Sequence, residues 1–325
     1  MKIQRGATYS VDLYKEPNNK SDHSRCFVET LSFTGLELIN AIISAGMPDT
    51  YLTKTEKRNR KDEITFKIKL FEIYVASSPG GELSFDNSRK KYIDSTELGA
   101  INYWIGMILT TILGQKKYRY DYMVHLSMLE HFSSTITLKK RTYYSFKGKP
   151  KGKPIYKSPD LLAVNSTNNS YGVFESKGYS TYSKKAMERA YDQVKSIKKV
   201  NRVKPKHRLA VMAQTGSTNI EMIQKDPGGE NCEITIDSAF LHIYHYLPIA
   251  ELITELKPEE YMGRMRAAFK HHDEDYFISI PLVFYDHLLQ IINCDTAEAA
   301  SKIIVNTDLR KLQINTSEEN ILRVE

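Results

Sequence analysis

The sequence predicts an α/β protein, a mixed β-sheet flanked by helices, with further segments at both ends. Three observations carry this reading. "DLLAV" and "YGVFESK" (within 160–177) are short Val-, Leu- and aromatic-rich runs joined by "NSTNNS", a turn-forming cluster, and they read as two antiparallel strands. "SKKAMERAYDQVKSIKKV" (183–200) places Met187, Ala190, Val194 and Ile197 at the spacing of an amphipathic helix, with Ser183 as its N-cap. "HRLAVMAQ" (207–214) then reads as a buried strand.

The elements divide the 325 residues into three stretches. Residues 1–94 form an N-terminal α/β segment, with an apolar stretch around "LELINAIISAG" and a strand expected in "ITFKIKLFEIYVA", ending at the turn "SSPGG". Residues 95–216 form the core. It opens with the apolar helix "ELGAINYWIGMILTTIL", whose Asp94-x-x-Glu97 is a capping-box pattern, and continues through "YDYMVHLSMLEHF" to the hairpin, helix and strand described above. Residues 217–325 are acidic and read as mainly helical, with Pro258-Glu259-Glu260 as a first turn ahead of "YMGRMRAAFK".

Composition excludes several classes. The longest apolar run, Leu98 to Leu113, is interrupted by Asn102 and is shorter than the roughly 20 residues of a membrane span. The first residues, "MKIQRGATYSVDLYKEPNNK", contain no apolar signal core, so a cytoplasmic protein is expected. Cys26, Cys232 and Cys294 have no Cys-x-x-Cys spacing and suggest neither a disulfide framework nor a zinc ribbon. No Gly-Lys-Ser/Thr phosphate loop is present. His242-x-x-His245 lies in apolar "FLHIYHYL" and reads as core, while "HHDED" (271–275) reads as a charged loop with cation binding as the alternative.

The hairpin carries the chemistry. Side chains alternate across a strand, so Glu175 and Lys177 share a face while Ser176 takes the other. Folding the hairpin brings Asp160, just after Pro159, toward Glu175. Two acids and one amine on one spot suit a divalent metal, because hard oxygen ligands hold Mg²⁺ and leave positions for water and phosphate oxygens. The alternative is a surface hairpin with solvated charges.

Pro159-Asp160, fourteen intervening residues, then Glu175-Ser176-Lys177 resembles the signature of the PD-(D/E)XK nuclease superfamily, whose fold is restriction-endonuclease-like. The resemblance covers about a third of the chain, and helix, strands, helix, strand is the core order of that fold. It implies Asp160 and Glu175 as metal ligands, the Ser176 carbonyl as a further ligand and Lys177 as the catalytic lysine. It also implies Mg²⁺, with Mn²⁺ as a substitute. Gln193 sits at the edge of the helical stripe and matches a glutamine that several branches of the superfamily carry there; the alternative is an ordinary boundary residue. The superfamily often adds a carboxylate from the helix before the hairpin. Glu97 is explained by capping, whereas Glu130 follows Leu126 by four residues and Met123 by seven on an apolar face, so Glu130 is the better candidate.

Charge points to the partner. The net charge is +7, but residues 209–325 hold nine Lys+Arg against nineteen Asp+Glu, a net −10, which leaves +17 in residues 1–208. "KKRTYYSFKGKPKGKPIYK" (139–157) supplies Lys139, Lys140, Arg141, Lys147, Lys149, Lys151, Lys153 and Lys157 with no acid, interleaved with Tyr143, Tyr144, Phe146 and Tyr156. Cations for phosphates and rings for bases are what a nucleic-acid groove needs. The expectation is therefore a metal-dependent deoxyribonuclease in a bacterial defence or mobile-element setting, which can call on a helicase or sensor protein encoded elsewhere. Two alternatives stand beside it: an inactive nucleic-acid-binding or scaffolding protein with a nuclease-like fold, and an RNA-cleaving member of the same superfamily.

Overall fold

The structure, a computed structural model, describes residues 1–17, 24–45, 59–126, 136–138, 159–227, 232–236, 238–309, 312 and 323–324. In chain order its elements are β1 (Thr8–Lys15), β2 (Cys26–Thr34), α1 (Gly35–Ser44), α2 (Arg60–Tyr74), β3 (Val75–Ser77), β4 (Leu83–Phe85), α3 (Asn87–Lys90), α4 (Ser95–Lys116), β5 (Tyr122–His125), β6 (Ile136–Leu138), β7 (Leu161–Asn165) and β8 (Ser170–Tyr179). There follow α5 (Lys184–Lys195), β9 (Ile197–Val200), β10 (His207–Gln214), β11 (Glu221–Lys225), β12 (Cys232–Ile236), α6 (Ser238–Glu255), β13 (Glu259–Tyr261), β14 (Arg264–His271), β15 (Glu274–Pro281), α7 (Leu282–Ile292), α8 (Ala297–Val305) and β16 (Arg323–Val324).

A mixed seven-stranded sheet in the order β2-β1-β11-β10-β8-β7-β5 organises the molecule. β5, β7 and β8 pair antiparallel in succession, whereas β8 and β10 are parallel. That parallel pair requires a crossover, and α5 supplies it, packing on both strands. β1 joins β11 in parallel and β2 closes that edge. The divisions expected at residues 94 and 216 therefore both run through one sheet. Among the described residues no helix is long and apolar enough to cross a membrane.

Helix α4 explains the long apolar run. Asp94 caps it, its side chain accepting from the Thr96 and Glu97 amides at 2.7 and 3.1 Å. The Glu97 carboxylate accepts from the Tyr74 hydroxyl, at 3.2 Å. One side of α4 packs on β8 and β10, and α1 and α2 pack on it as well, so Ile101, Ile105, Met107, Ile108, Leu109, Ile112 and Leu113 are all buried. Contact with β8 is close enough to need two glycines. A Cβ on Gly178 would stand 1.7 Å from the Asn102 carbonyl oxygen, and one on Gly106 would stand 3.0 Å from that of Lys177.

Three local expectations are corrected. "ITFKIKLFEIY" is the body of helix α2, not a strand: Ile64, Ile68 and Phe71 are buried at helical spacing, Asn59 caps the start, and Phe66, which a strand would bury with Ile64 and Ile68, is 62% exposed. The described residues of 217–325 are not mainly helical. Glu259–Tyr261 and Arg264–His271 are strands of a hairpin that turns at Met262 and Gly263, both at positive φ (50° and 71°), and Ala267, Phe269 and His271 are buried at period two. Tyr122–His125 is also a strand, so the helical spacing that linked Met123 to Glu130 does not hold there.

Candidate active site

The β7–β8 register sets the geometry. Leu161 pairs with Phe174, so one residue further out Asp160 stands opposite Glu175. β7 ends here while β8 continues to Tyr179 beside β10, which leaves Glu175 and Lys177 where the two strands part. Pro159, without an amide hydrogen, cannot extend the ladder.

Two reciprocal bonds lock the acids in place. The Asp160 amide donates to Glu175 Oε2 at 2.8 Å, and the Ser176 amide donates to Asp160 Oδ2 at 3.0 Å. Lys177 Nζ donates to Glu175 Oε1 and lies 4.0 Å from Asp160 Oδ2. The expected alternation holds: Ser176 points the other way, its hydroxyl 3.0 Å from that of Thr110 on α4. The Leu126 amide donates to the Asp160 carbonyl at 2.9 Å, so β5 fixes the same corner.

Electrostatics make the cluster unlike a surface ion pair. Glu175 is fully buried, whereas the side chains of Asp160 and Lys177 remain about a quarter exposed (25% and 23%). Burial, and then the neighbouring Asp160 charge, push Glu175 up to about 8. Asp160 is raised as well, by burial that Lys177 and the Ser176 amide only partly offset. Burial alone would lower the Lys177 ammonium, but the charges of Glu175 and Asp160 outweigh it and raise its pKa, so it stays protonated. Tyr103 of α4 is pushed up to about 12 by burial and by the charges of Asp160 and Glu175.

Gln193 is buried on α5, the crossover helix over β8 and β10. Glu130 and all eight cations of the basic stretch (Lys139, Lys140, Arg141, Lys147, Lys149, Lys151, Lys153 and Lys157) lie outside the described residues. In sequence the last of them precedes Asp160 by three residues.

Two residues near the site escaped the sequence reading. Tyr103 gives no local signal, because only the packing of α4 brings it near the acids. Asn102 is visible in the sequence only as a break in an apolar run. Buried on α4, it accepts from the Thr215 hydroxyl at 2.7 Å and donates to Ser180 Oγ at 3.1 Å, tying the helix to the chain just beyond β8 and β10. The apolar "FLHIYHYL" belongs to α6, where His242 and His245 are buried and the Tyr122 hydroxyl bonds His242 Nδ1 at 2.7 Å. Burial depresses His245 to about 3, which keeps it a neutral core residue. Comparison of the chain with protein-family models, curated proteins and solved structures finds no match.

Proposed function

We propose that this protein is a Mg²⁺-dependent nuclease of the PD-(D/E)XK type that hydrolyses phosphodiester bonds in DNA. The observation that carries the reading is the meeting of Asp160, Glu175 and Lys177 where β7 parts from β8. The order α4, β5, β7, β8, α5, β10 agrees with the core order the resemblance implies.

The donor set suits a hard dication. Each carboxyl group has one oxygen oriented by a backbone amide of the opposite strand, and the site holds two acids beside a single ammonium. Burial raises both carboxyl pKa values, with the Asp160 charge adding to the effect at Glu175, and a bound dication would favour both ionised forms. Asp160, Glu175 and the Ser176 carbonyl would hold the ion. When bound, Mg²⁺ supplies a Lewis acid that acidifies a water and offsets charge on the phosphate.

The remaining steps belong to the chain. Lys177 stays protonated, so it acts as a fixed cation that orients the attacking water and stabilises the phosphate charge, not as a general base. Closure of α4 over β8 holds the Ser176–Gly178 backbone in place. Gln193 lies on the helix over the same strands, where it would support the site. The cations of residues 139–157 would bring the phosphate backbone to the site, and the acidic C-terminal part suits a basic partner protein better than DNA.

The test is incubation of purified protein with linear, circular and single-stranded DNA and with RNA, in EDTA, Mg²⁺, Mn²⁺ or Ca²⁺. Cleavage is expected with Mg²⁺ and Mn²⁺, and binding without cleavage with Ca²⁺, whose looser coordination acidifies water less. Asp160→Asn and Lys177→Met should each abolish cleavage. Undiminished cleavage in EDTA or in either folded variant overturns the proposal, no cleavage in any condition favours a binding role, and cleavage of RNA alone moves the substrate class.

A further inference from the structure

A second cluster, independent of the nuclease reading, lies where α2 meets the β14–β15 turn. Glu72, in the last turn of α2, points its carboxylate at two adjacent imidazoles. His271 Nε2 lies 2.9 Å and His272 Nε2 2.8 Å from the same oxygen, Oε1, which also accepts from the Ile3 amide at 2.9 Å. A carboxylate oxygen has two lone pairs, so three donors overfill it.

We propose that Glu72, His271 and His272 form a transition-metal site of the zinc type, a His₂Glu set that fastens α2 to the β14–β15 turn. Two imidazole nitrogens and one carboxylate oxygen are a recurring Zn²⁺ donor set that leaves a fourth position open. The three ligand atoms lie within 4.8 Å of one another. Tetrahedral zinc with bonds of about 2.0–2.1 Å sets its ligands about 3.3 Å apart, so each imidazole nitrogen need move from the Glu72 oxygen by only about half an ångström. His272, at the turn, is 24% exposed and free to make that adjustment, while Glu72 and His271 are buried.

The backbone gives a separate reason. Successive strand residues face opposite sides, so adjacent histidines should not reach one carboxylate. Here His271 ends β14 and His272 adopts φ 53°, which swings its ring beside that of His271, with centroids 4.2 Å apart. Glycine or asparagine holds that conformation more readily. A histidine is placed where its backbone is disfavoured and its ring completes a ligand set.

Neighbouring groups are compatible with an ion. On metal binding the two Nε2 atoms would give up their protons to solvent and turn their lone pairs to the ion, while the Ile3 amide keeps its bond to Glu72 Oε1. Lys69 bonds the other oxygen, Oε2, at 3.2 Å from a half-exposed side chain that can swing into water. Imidazole donors select zinc-like ions, whereas the oxygen-only site at Asp160 and Glu175 selects Mg²⁺, so the two centres should load with different metals. The partners lie 199 and 200 residues apart in sequence, so binding would close a long loop and its free energy would appear as stability.

The experiment uses the full chain carrying Asp160→Asn and Glu175→Gln, so that the proposed Mg²⁺ site cannot contribute. Co²⁺ is titrated into it and followed by visible absorption, then displaced with Zn²⁺; metal content after dialysis and the unfolding midpoint are measured in parallel. One tightly held equivalent is expected, with the intense bands of four- or five-coordinate Co²⁺, and a higher midpoint with Zn²⁺. His272→Asn, which tolerates the left-handed turn, should weaken binding by at least about a hundred-fold, since loss of an outer-shell partner alone typically costs about 10–100-fold. Glu72→Gln should do likewise. The proposal is overturned if no equivalent is retained, if only the weak spectrum of octahedral Co²⁺ appears, or if folded His272→Asn binds as tightly as its parent.

Discussion

Replacing Glu175 by glutamine should stabilise the metal-free protein at neutral pH while removing the proposed cleavage activity. Glu175 rises from an ordinary 4.5 to about 8 because it is fully buried beside Asp160. Between those values the native state holds a proton that the unfolded chain has released, so stability falls as pH rises from about 5 to 8 and is retained below the unfolded value. At about 1.4 kcal/mol per unit, the loss across that interval is on the order of 4 kcal/mol. Glutamine has nearly the same shape, its carbonyl can still accept from the Asp160 amide, and Lys177 can turn to Asp160, 4.0 Å away. The assay is urea unfolding at pH 5, 6, 7 and 8 in EDTA, comparing midpoints at constant m-value. Wild type should lose stability steadily over the series, and Glu175→Gln should be flatter and more stable at pH 8. Parallel pH profiles for the two proteins would refute the argument, because they would show that Glu175 ionises freely despite its burial.

Further outcomes follow from packing and charge. Gly178→Ala should destabilise by about 3 kcal/mol, the upper end for overpacking, because its Cβ meets a backbone carbonyl at 1.7 Å; Gly106→Ala, with its nearest contact at 3.0 Å, should cost about 1 kcal/mol, both read from denaturant midpoints. Lys225→Met should cost about 3–5 kcal/mol by leaving Glu16 buried without its ammonium, and adding Glu16→Gln should recover much of that loss. Neutralising Lys147, Lys149, Lys151 and Lys153 together should flatten the salt dependence of duplex binding by up to about 0.9 per lost phosphate contact, and an unchanged slope would show that they face solvent.

The site was legible in the sequence to the extent that its geometry is local. A hairpin fixes its own register, so Asp160, Glu175 and Lys177 could be brought together from strand alternation and one turn. The crossover helix was equally plain as far as Val194, because Met187, Ala190 and Val194 repeat at its period and are buried, but Ile197, read as the end of that stripe, is the first residue of strand β9. "ITFKIKLFEIY" was not, since it satisfies both periods at once; Asn59 and the acids of the first turn decide for the helix, and the exposed Phe66 shows the outcome. In residues 258–271 the decisive feature is a turn at Met262 and Gly263, too short to register against a helical pattern. The insertion of β11 between β10 and β1 joins segments about 200 residues apart, and no local pattern encodes such a pairing. Tyr103 and the approach of Glu72 to His271 and His272 were hidden for the same reason, although "HHDED" itself offered cation binding as an alternative.

One comparison within the molecule argues for which buried charges are poised to take a cation. Ala210 of β10 pairs with Glu175 on one side and with Lys225 on the other, so both charged residues emerge on the face covered by α5, where Lys225 Nζ lies 5.4 Å from the centre of the Tyr191 ring. At Lys225 the partner acid is held at both oxygens: Glu16 receives Lys225 Nζ on Oε1 at 2.8 Å and the Tyr182 hydroxyl on Oε2 at 2.7 Å. At Glu175 two carboxyl groups share one ammonium, and burial, joined by the Asp160 charge, raises Glu175 to about 8, so at neutral pH the metal-free cluster holds a proton and carries one anion beside one cation. The second acid, Asp160, stands where β8 runs on past the start of β7, and its side chain is still partly exposed. A divalent ion at the proposed site would displace the Glu175 proton, so its apparent affinity should rise with pH up to about 8.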